Sequence, residues 1–294
     1  MVVCVLGTGL MGAPMARRLA GAGFVTHVWN RSPGKAQALR GDGCRPCASL
    51  AGAVSGAAVI LSSLTDGRAM LDLVEKVVDT GAAGAGSLWI DTSSTLPDEA
   101  VAATRRLGDV GVAFLDAPVS GGVRGATEGS LAIMAGGADA TFRRALPVLS
   151  VLGRAVRVGP LGSGQMAKLA NQMIVAGTIG LVAEAMLFLS EGGADCAAVR
   201  DALQGGFADS TILRQHGRRM QARDFAPGGA SANQLKDLDN ALSVARDLSL
   251  DLPMIAQVRA RYRRLVDDLG GAALDHAALY LELCDLNGKD IAAP

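Results

Sequence analysis

Histidine and lysine are both scarce in this sequence, and the shortage narrows the chemistry available to it. The 294 residues include three histidines, His27, His216 and His276, scattered along the chain. They form no helical H-x-x-x-H pair for zinc, and nothing points to a Ser-His-Asp triad. Five cysteines, an odd number, fit free buried thiols better than a disulfide framework. Cys44-Arg-Pro-Cys47 has C-x-x-C spacing, but no second pair exists to complete a metal site, so it offers spacing alone. Two Trp, two Tyr and six Phe make few stacking platforms, and a formal net charge of zero with no basic run argues against a nucleic-acid partner. No charged stretch precedes the first apolar run, which stops at Gly7 and reads as a strand instead of a signal peptide. The longest apolar passage, Met173 to Ser190, is broken by Glu184 and reads as a buried helix, not a membrane span. A cytoplasmic protein without a membrane partner is expected.

Of the 28 basic residues only five are lysine: Lys35, Lys76, Lys168, Lys236 and Lys289. Arginine therefore carries the burden of solubility, and a lysine in an apolar setting stands out because it can titrate where arginine effectively cannot. Lys168 lies in such a setting, within Gly162 to Gln172 (G-S-G-Q-M-A-K-L-A-N-Q), where the chain changes character. Before this stretch strand-like and helix-like segments alternate; after it the pattern is helical. The spacing predicts a helix from about Met166 to Ser190 with Lys168 in its first turn and Asn171 and Gln172 on the same face. A helix N-terminus disfavours a second cation, which would lower the lysine pKa if the group is shielded from water. A solvated surface lysine is the alternative. Gly177 and Gly180, inside that helix, suggest a close helix contact, with a second subunit as one candidate.

The length suggests two domains, and a 50% hydrophobic composition supplies a large core. We expect an α/β fold: residues 1–161 form a Rossmann-type, doubly wound sheet, and residues 162–294 comprise an interdomain helix and an all-α domain. Val2 to Leu6 runs as a strand straight into Gly7-Thr8-Gly9-Leu10-Met11-Gly12 and then a helix. In this G-x-G-x-x-G turn Gly7 permits the bend, Gly9 lets backbone approach a pyrophosphate and Gly12 lets the helix pack on the strand, so a dinucleotide is expected there. The next strand ends at Asn30-Arg31-Ser32. An NAD-selective site usually has an acid at this point to hold the ribose 2'-hydroxyl, and none is present; Arg31 and Ser32 instead suit a 2'-phosphate, favouring NADP with NAD possible. Further strands are expected at 44–47, 57–64, 87–91, 113–119, 131–135 and 155–158. Ligands bind beyond strand carboxyl ends, which makes Leu64, Thr65, Ser94 with its neighbours, and Ser120-Gly121-Gly122 candidates for contact, ordinary turn chemistry being the alternative. Helices are expected near 195–204, 209–222, 232–249, 253–268 and 275–285.

G-T-G-L-M-G-A-P-M-A (7 to 16), D-T-S-S-T (91 to 95), D-A-P-V-S-G-G (116 to 122), the stretch 162 to 172 and K-D-L-D-N-A-L (236 to 242) together make the chain resemble the β-hydroxyacid dehydrogenase family, which is 6-phosphogluconate dehydrogenase-like in its organisation. The resemblance covers nearly the whole length. It implies Lys168 as the catalytic lysine, Ser94 and Lys236 along the nicotinamide cofactor, and Ser120, Gly121 and Gly122 as the loop holding a substrate carboxylate. Where the family commonly has asparagine four residues after the lysine, this chain has Gln172, with Asn171 one earlier; both are expected to touch substrate. The resemblance further implies a homo-oligomer, a homodimer or homotetramer. Segments 205–213, 224–228 and 274–279 look most like the tartronate semialdehyde reductase branch, with 3-hydroxyisobutyrate oxidation as the nearest alternative. A dinucleotide-binding protein without turnover and a reductase of imines or other carbonyls are the competing readings.

Overall fold

The structure, a computed structural model, describes residues 1–290, so the last four residues of the expected second domain lie outside the described residues. Two compact units divide between Lys168 and Leu169.

The first unit runs β1 (Val2–Leu6), α1 (Gly12–Gly21), β2 (Val25–Trp29), α2 (Pro33–Gln37), β3 (Arg45–Pro46), α3 (Leu50–Val54), β4 (Val59–Ser62), α4 (Gly67–Thr80) and β5 (Leu88–Asp91). It continues with α5 (Pro97–Gly108), β6 (Ala113–Asp116), β7 (Val119–Ser120), α6 (Gly122–Glu128), β8 (Leu131–Gly136), α7 (Asp139–Leu152), β9 (Gly153–Gly159) and the start of α8 (Ser163–Glu191). The sheet order is β3-β2-β1-β4-β5-β6-β8-β7, with β9 beside β8. Strands β3 to β6 are parallel; β8 runs antiparallel to β6 and β7.

β1 is central, pairing with β2 and β4, and a parallel strand covered on both faces needs apolar residues at every position. Val-Val-Cys-Val-Leu meets that need: Val3 and Val5 enter the core with Met15 and Leu19, whereas Cys4 and Leu6 enter the opposite core with Met70 and Trp89. The expected single strand over 113–119 is two, separated at Ala117-Pro118, because Pro118 has no N–H to give to a ladder. Side-chain caps start two of the helices between strands: Ser49 Oγ accepts from Gly52 N at 3.1 Å to open α3, and Asp66 accepts from Ala69 N at 2.8 Å to open α4.

The second unit holds the rest of α8, then α9 (Cys196–Ala202), α10 (Thr211–Ala222), α11 (Ser231–Asp247), α12 (Pro253–Asp267) and α13 (Leu279–Leu286). Its core joins Ala176, Ile179, Ala183 and Met186 of α8 to Leu238, Tyr262, Leu265 and Leu279. The helix expected over 275–285 is a 3-10 turn, His276–Ala278, opened by Asp275 accepting from Ala277 N at 3.0 Å, followed by α13.

α8 departs from expectation in two ways. It starts at Ser163, so Lys168 is in the second turn instead of the first, where the helix-terminus field is weaker. By length and composition it could cross a membrane, and only 39% of its most apolar stretch is buried, less than a core helix would show. Ile174, Leu181 and Phe188, seven residues apart, are 69%, 60% and 79% exposed and form one apolar stripe. The two glycines do not serve packing within the chain: an added Cβ at Gly177 would meet nothing within 4 Å, and at Gly180 only ordinary contacts at 3.8 and 3.9 Å.

Candidate active site

The glycine turn after β1 has the shape its sequence requires. Gly7 adopts φ +92°, and a Cβ there would stand 2.4 Å from Ser63 O; at Gly12 it would stand 1.8 Å from Gly7 O. A Cβ at Gly9 would meet nothing within 4 Å, so the space above that backbone is open where a pyrophosphate must approach. α1 has neither a side-chain cap nor an acid in its first turn, which leaves its positive end to a ligand, and the buried Thr8 Oγ1 has no partner among the described residues. Leu10 is exposed and Met11 half-buried at the mouth of the turn. These features fit a dinucleotide phosphate.

Asn30 closes the same loop from β2: Thr8 N donates to its Oδ1 at 3.0 Å and its Nδ2 donates to Ser32 O at 3.1 Å. Both ends of the amide hold backbone, and Arg31 and Ser32 beside it are exposed. Replacement of the two other glycines separates fold from binding. Gly9→Ala should melt like the parent yet lose dinucleotide affinity, whereas Gly12→Ala should also lose about 1–3 kcal/mol of stability, the usual cost of overpacking. Thermal melting with cofactor titration checks both; equal melting of the two variants would contradict the assignment.

The loops after β4 and β5 are tied by buried polar groups. Asp91 Oδ1 accepts from Ser62 Oγ and Ser93 Oγ, both at 2.7 Å, and Ser93 Oγ accepts from Leu64 N at 2.9 Å. Burial pushes the Asp91 carboxyl up against these bonds, and its Oδ2 has no partner among the described residues. Leu64, exposed Thr65 and half-buried Ser94 are thereby held at the carboxyl ends of the strands.

The start of α8 is fixed to the same edge. Asp116 Oδ1 accepts from Gly162 N at 2.9 Å and Oδ2 from Gln165 N at 3.0 Å; burial pushes this carboxyl up to about 6 although those N–H groups pull the other way. Gln165, fully buried, accepts from Thr95 N and donates to Ser93 O, each at 3.0 Å. The half-buried Lys168 Nζ then donates to Val119 O at 2.9 Å, directly before Ser120-Gly121-Gly122. Gly121 and Gly122 adopt φ +132° and +61°, conformations suited to glycine, and open α6 with exposed backbone. Lysine and glycine turn, far apart in sequence, are thus brought together within the first unit.

Asn171, Gln172 and Lys236 belong to the second unit. Gln172 Nε2 donates to Asp237 Oδ2 at 2.9 Å, and Lys236 Nζ pairs with Asp237 Oδ1 at 3.0 Å. Asp116, Gln165 and Asp237 escaped the sequence reading as functional groups, though each sits inside a motif singled out there; a polar residue predicted to be buried was the available signal.

Three other features have different roles. A surface cleft lined by Ala57, Val59, Gly86, Leu88 and Arg144 lies at the amino ends of β4 and β5, away from the strand ends that build the site. The histidines that looked scattered are not all apart: the His216 and His276 rings meet edge-on at 4.7 Å beside Asp275. Asp275 is committed to structure, accepting from Gly228 N, Gly229 N and Ala277 N and pairing with Arg219 at 3.1 Å, a cation where a metal would need none. Burial also pushes the thiols of Cys44 and Cys47 up, the wrong direction for a reactive C-x-x-C pair.

Comparison with known proteins identifies the family. The family model described as the NAD-binding domain of 6-phosphogluconate dehydrogenase matches residues 2–187, and that described as the NAD-binding of NADP-dependent 3-hydroxyisobutyrate dehydrogenase matches residues 162–283. The 2-hydroxy-3-oxopropionate reductase of Escherichia coli is 41% identical over 280 residues, 93% of this chain and 94% of that protein. A probable mitochondrial 3-hydroxyisobutyrate dehydrogenase-like protein of Arabidopsis thaliana is 32% identical, covering 97% of this chain and 86% of its own length. Among solved structures, Mycobacterium tuberculosis 3-hydroxyisobutyrate dehydrogenase with L-serine superposes with a TM-score of 0.86 at 30% identity, over 96% of this chain and 99% of that one. With relatives of one kind matched along almost its whole length and a glycine turn shaped for a nicotinamide dinucleotide, the chain belongs to the β-hydroxyacid dehydrogenase family of NAD(P)-dependent oxidoreductases.

Proposed function

We propose that the protein is an NADP-preferring reductase that interconverts a small 3-hydroxy carboxylic acid and its semialdehyde, 2-hydroxy-3-oxopropionate (tartronate semialdehyde) being the best supported substrate and 3-hydroxyisobutyrate the alternative. The observation that carries this reading is Lys168 Nζ at 2.9 Å from Val119 O, at the head of the Ser120-Gly121-Gly122 turn. The nicotinamide supplies or accepts the hydride when bound. Lys168 delivers a proton or a charged hydrogen bond to the carbonyl oxygen and takes it back in oxidation, a role worth about 10² to 10⁴ in rate. The Ser120 hydroxyl and the first N–H groups of α6 at Gly121 and Gly122 hold the carboxylate and so orient the aldehyde. Gly7, Thr8, Gly9, Leu10, Met11 and Gly12 seat the pyrophosphate, with Leu64, Thr65 and Ser94 along the rest of the dinucleotide. A binder without turnover has no use for a lysine held at an anion turn, which favours an enzyme. The identity to the Escherichia coli reductase supports the substrate choice.

The NADP preference rests on the absence of an acid after β2, the commitment of Asn30 to backbone and the exposed Arg31. Arg31→Ala should weaken NADPH binding selectively and leave NADH little changed, as measured by titrating both cofactors. Equal losses would refute the 2'-phosphate assignment. The exposed stripe Ile174, Leu181 and Phe188 supports a homodimer or homotetramer, with this face of α8 covered by another copy in the cytoplasm.

A further inference from the structure

We propose that Asp237 is a positioning residue which, with Gln234, fixes the polarity of an amide chain ending at Asn171 and thereby makes Asn171 Oδ1 the acceptor for a hydroxyl on the substrate carbon next to the aldehyde. The inference rests on the reading of the protein as a reductase of small semialdehyde acids.

An amide side chain can usually be turned end for end, so its donor and acceptor are set by its partners. Here the partners leave no choice. Asp237 is 4% exposed and paired with Lys236, and its carboxylate oxygen at 2.9 Å from Gln172 accepts only. Gln234, 1% exposed, donates its own Nε2 to the Gln172 backbone carbonyl at 3.3 Å, which turns its Oε1 toward Gln172 Nε2, also at 3.3 Å. Both hydrogens of Gln172 Nε2 therefore have acceptors, and its Oε1 faces the other way. Asn171 Nδ2 donates to that oxygen at 2.8 Å, so Asn171 must in turn direct Oδ1 away from Gln172. A carboxylate followed by two amides in line is a chain of hydrogen bonds each strengthening the next.

Lys168 and Asn171 lie three residues apart on α8, hence on one helical face. A substrate oxygen served by Lys168 places its neighbouring carbon near Asn171. An oriented carbonyl there rewards a hydroxyl and leaves a methyl unpaired, and sites built around a substrate hydroxyl discriminate strongly against analogues without one. Gln172, the departure from the family pattern, thus transmits orientation from α11 to its neighbour.

The test compares kcat/KM for 2-hydroxy-3-oxopropionate and 2-methyl-3-oxopropionate with NADPH, in the parent and in Asp237→Asn. An amide in place of the carboxylate can offer N–H groups to Gln172, which lets both amides turn. The parent should favour the hydroxylated acid, and the variant should lose about tenfold or more of that preference, chiefly through KM of the hydroxylated acid. A purely structural role would slow both substrates equally and leave the ratio unchanged, which would overturn the proposal. Should Asp237→Asn fail to fold, Asn171→Leu reads the same ratio directly. Turnover of both acids with an unaltered ratio in folded variants would sink this inference alone, whereas a parent inactive on both acids would remove the functional reading beneath it.

Discussion

Lys168→Ala should lower kcat by about 10² or more, the scale on which a positioned proton donor acts, while NADPH affinity stays near its parent value. The two effects should separate because the lysine stands at the Val119 carbonyl, whereas the proposed seat of the dinucleotide phosphates is the turn from Gly7 to Gly12. Lys168→Arg should be nearly as inactive: arginine keeps the charge, holds its proton too tightly and brings a planar group into space shaped for an ammonium. Melting temperature and cofactor titration distinguish lost chemistry from lost fold. A lysine that only decorated the surface would tolerate both changes.

The second large effect concerns stability. Asp275 is 1% exposed and joins Arg219 and the N–H groups of Gly228, Gly229 and Ala277, stapling the segment before α11 to the one before α13. Asp275→Ala should cost about 3–5 kcal/mol, as breaking a buried ion pair from one side does, because Arg219 and three N–H groups lose their acceptor. Calorimetry or denaturant unfolding followed by circular dichroism would measure it, and a change below about 1 kcal/mol would show that the staple carries little. The pH dependence has a fixed sign. Burial alone would push this carboxyl up, but nearby His216, the charge of His276 and the N–H groups of Ala277 and Gly229 outweigh it and hold the group below the ordinary 3.8. A depressed folded-state pKa contributes stability that is complete above the unfolded value and lost as pH falls through the folded one. The share of the difference between parent and Asp275→Ala that the ionised carboxyl contributes should therefore be lost only as the solution becomes more acid than about 3.8.

Much of this was legible in the residues, for physical reasons that differ by element. The glycine turn could be read because only glycine satisfies the approaches at positions 7 and 12, and β1 because a central parallel strand must be apolar throughout. The helices expected near 209–222 and 253–268 are found at Thr211–Ala222 and Pro253–Asp267. The start of α8 was not legible, because its first N–H groups are capped by Asp116, 46 residues earlier at Gly162, and no local pattern reports a cap brought from another strand. The same holds for the meeting of His216 with His276 and for the polarity of Gln172, which depends on Gln234 and Asp237, 62 and 65 residues away. The exposed stripe on α8 was misread as core because hydropathy counts apolar residues without saying which chain covers them.

The most direct test of the account is to follow nicotinamide absorbance while the purified protein is offered NADPH with a panel of small aldehydo acids and neutral aldehydes of matching size. The account predicts rapid oxidation of NADPH with 2-hydroxy-3-oxopropionate, abolished by Lys168→Ala and nearly absent with the neutral aldehydes. Equal reaction of acids and neutral aldehydes, or undiminished turnover in a folded Lys168→Ala protein, would contradict it.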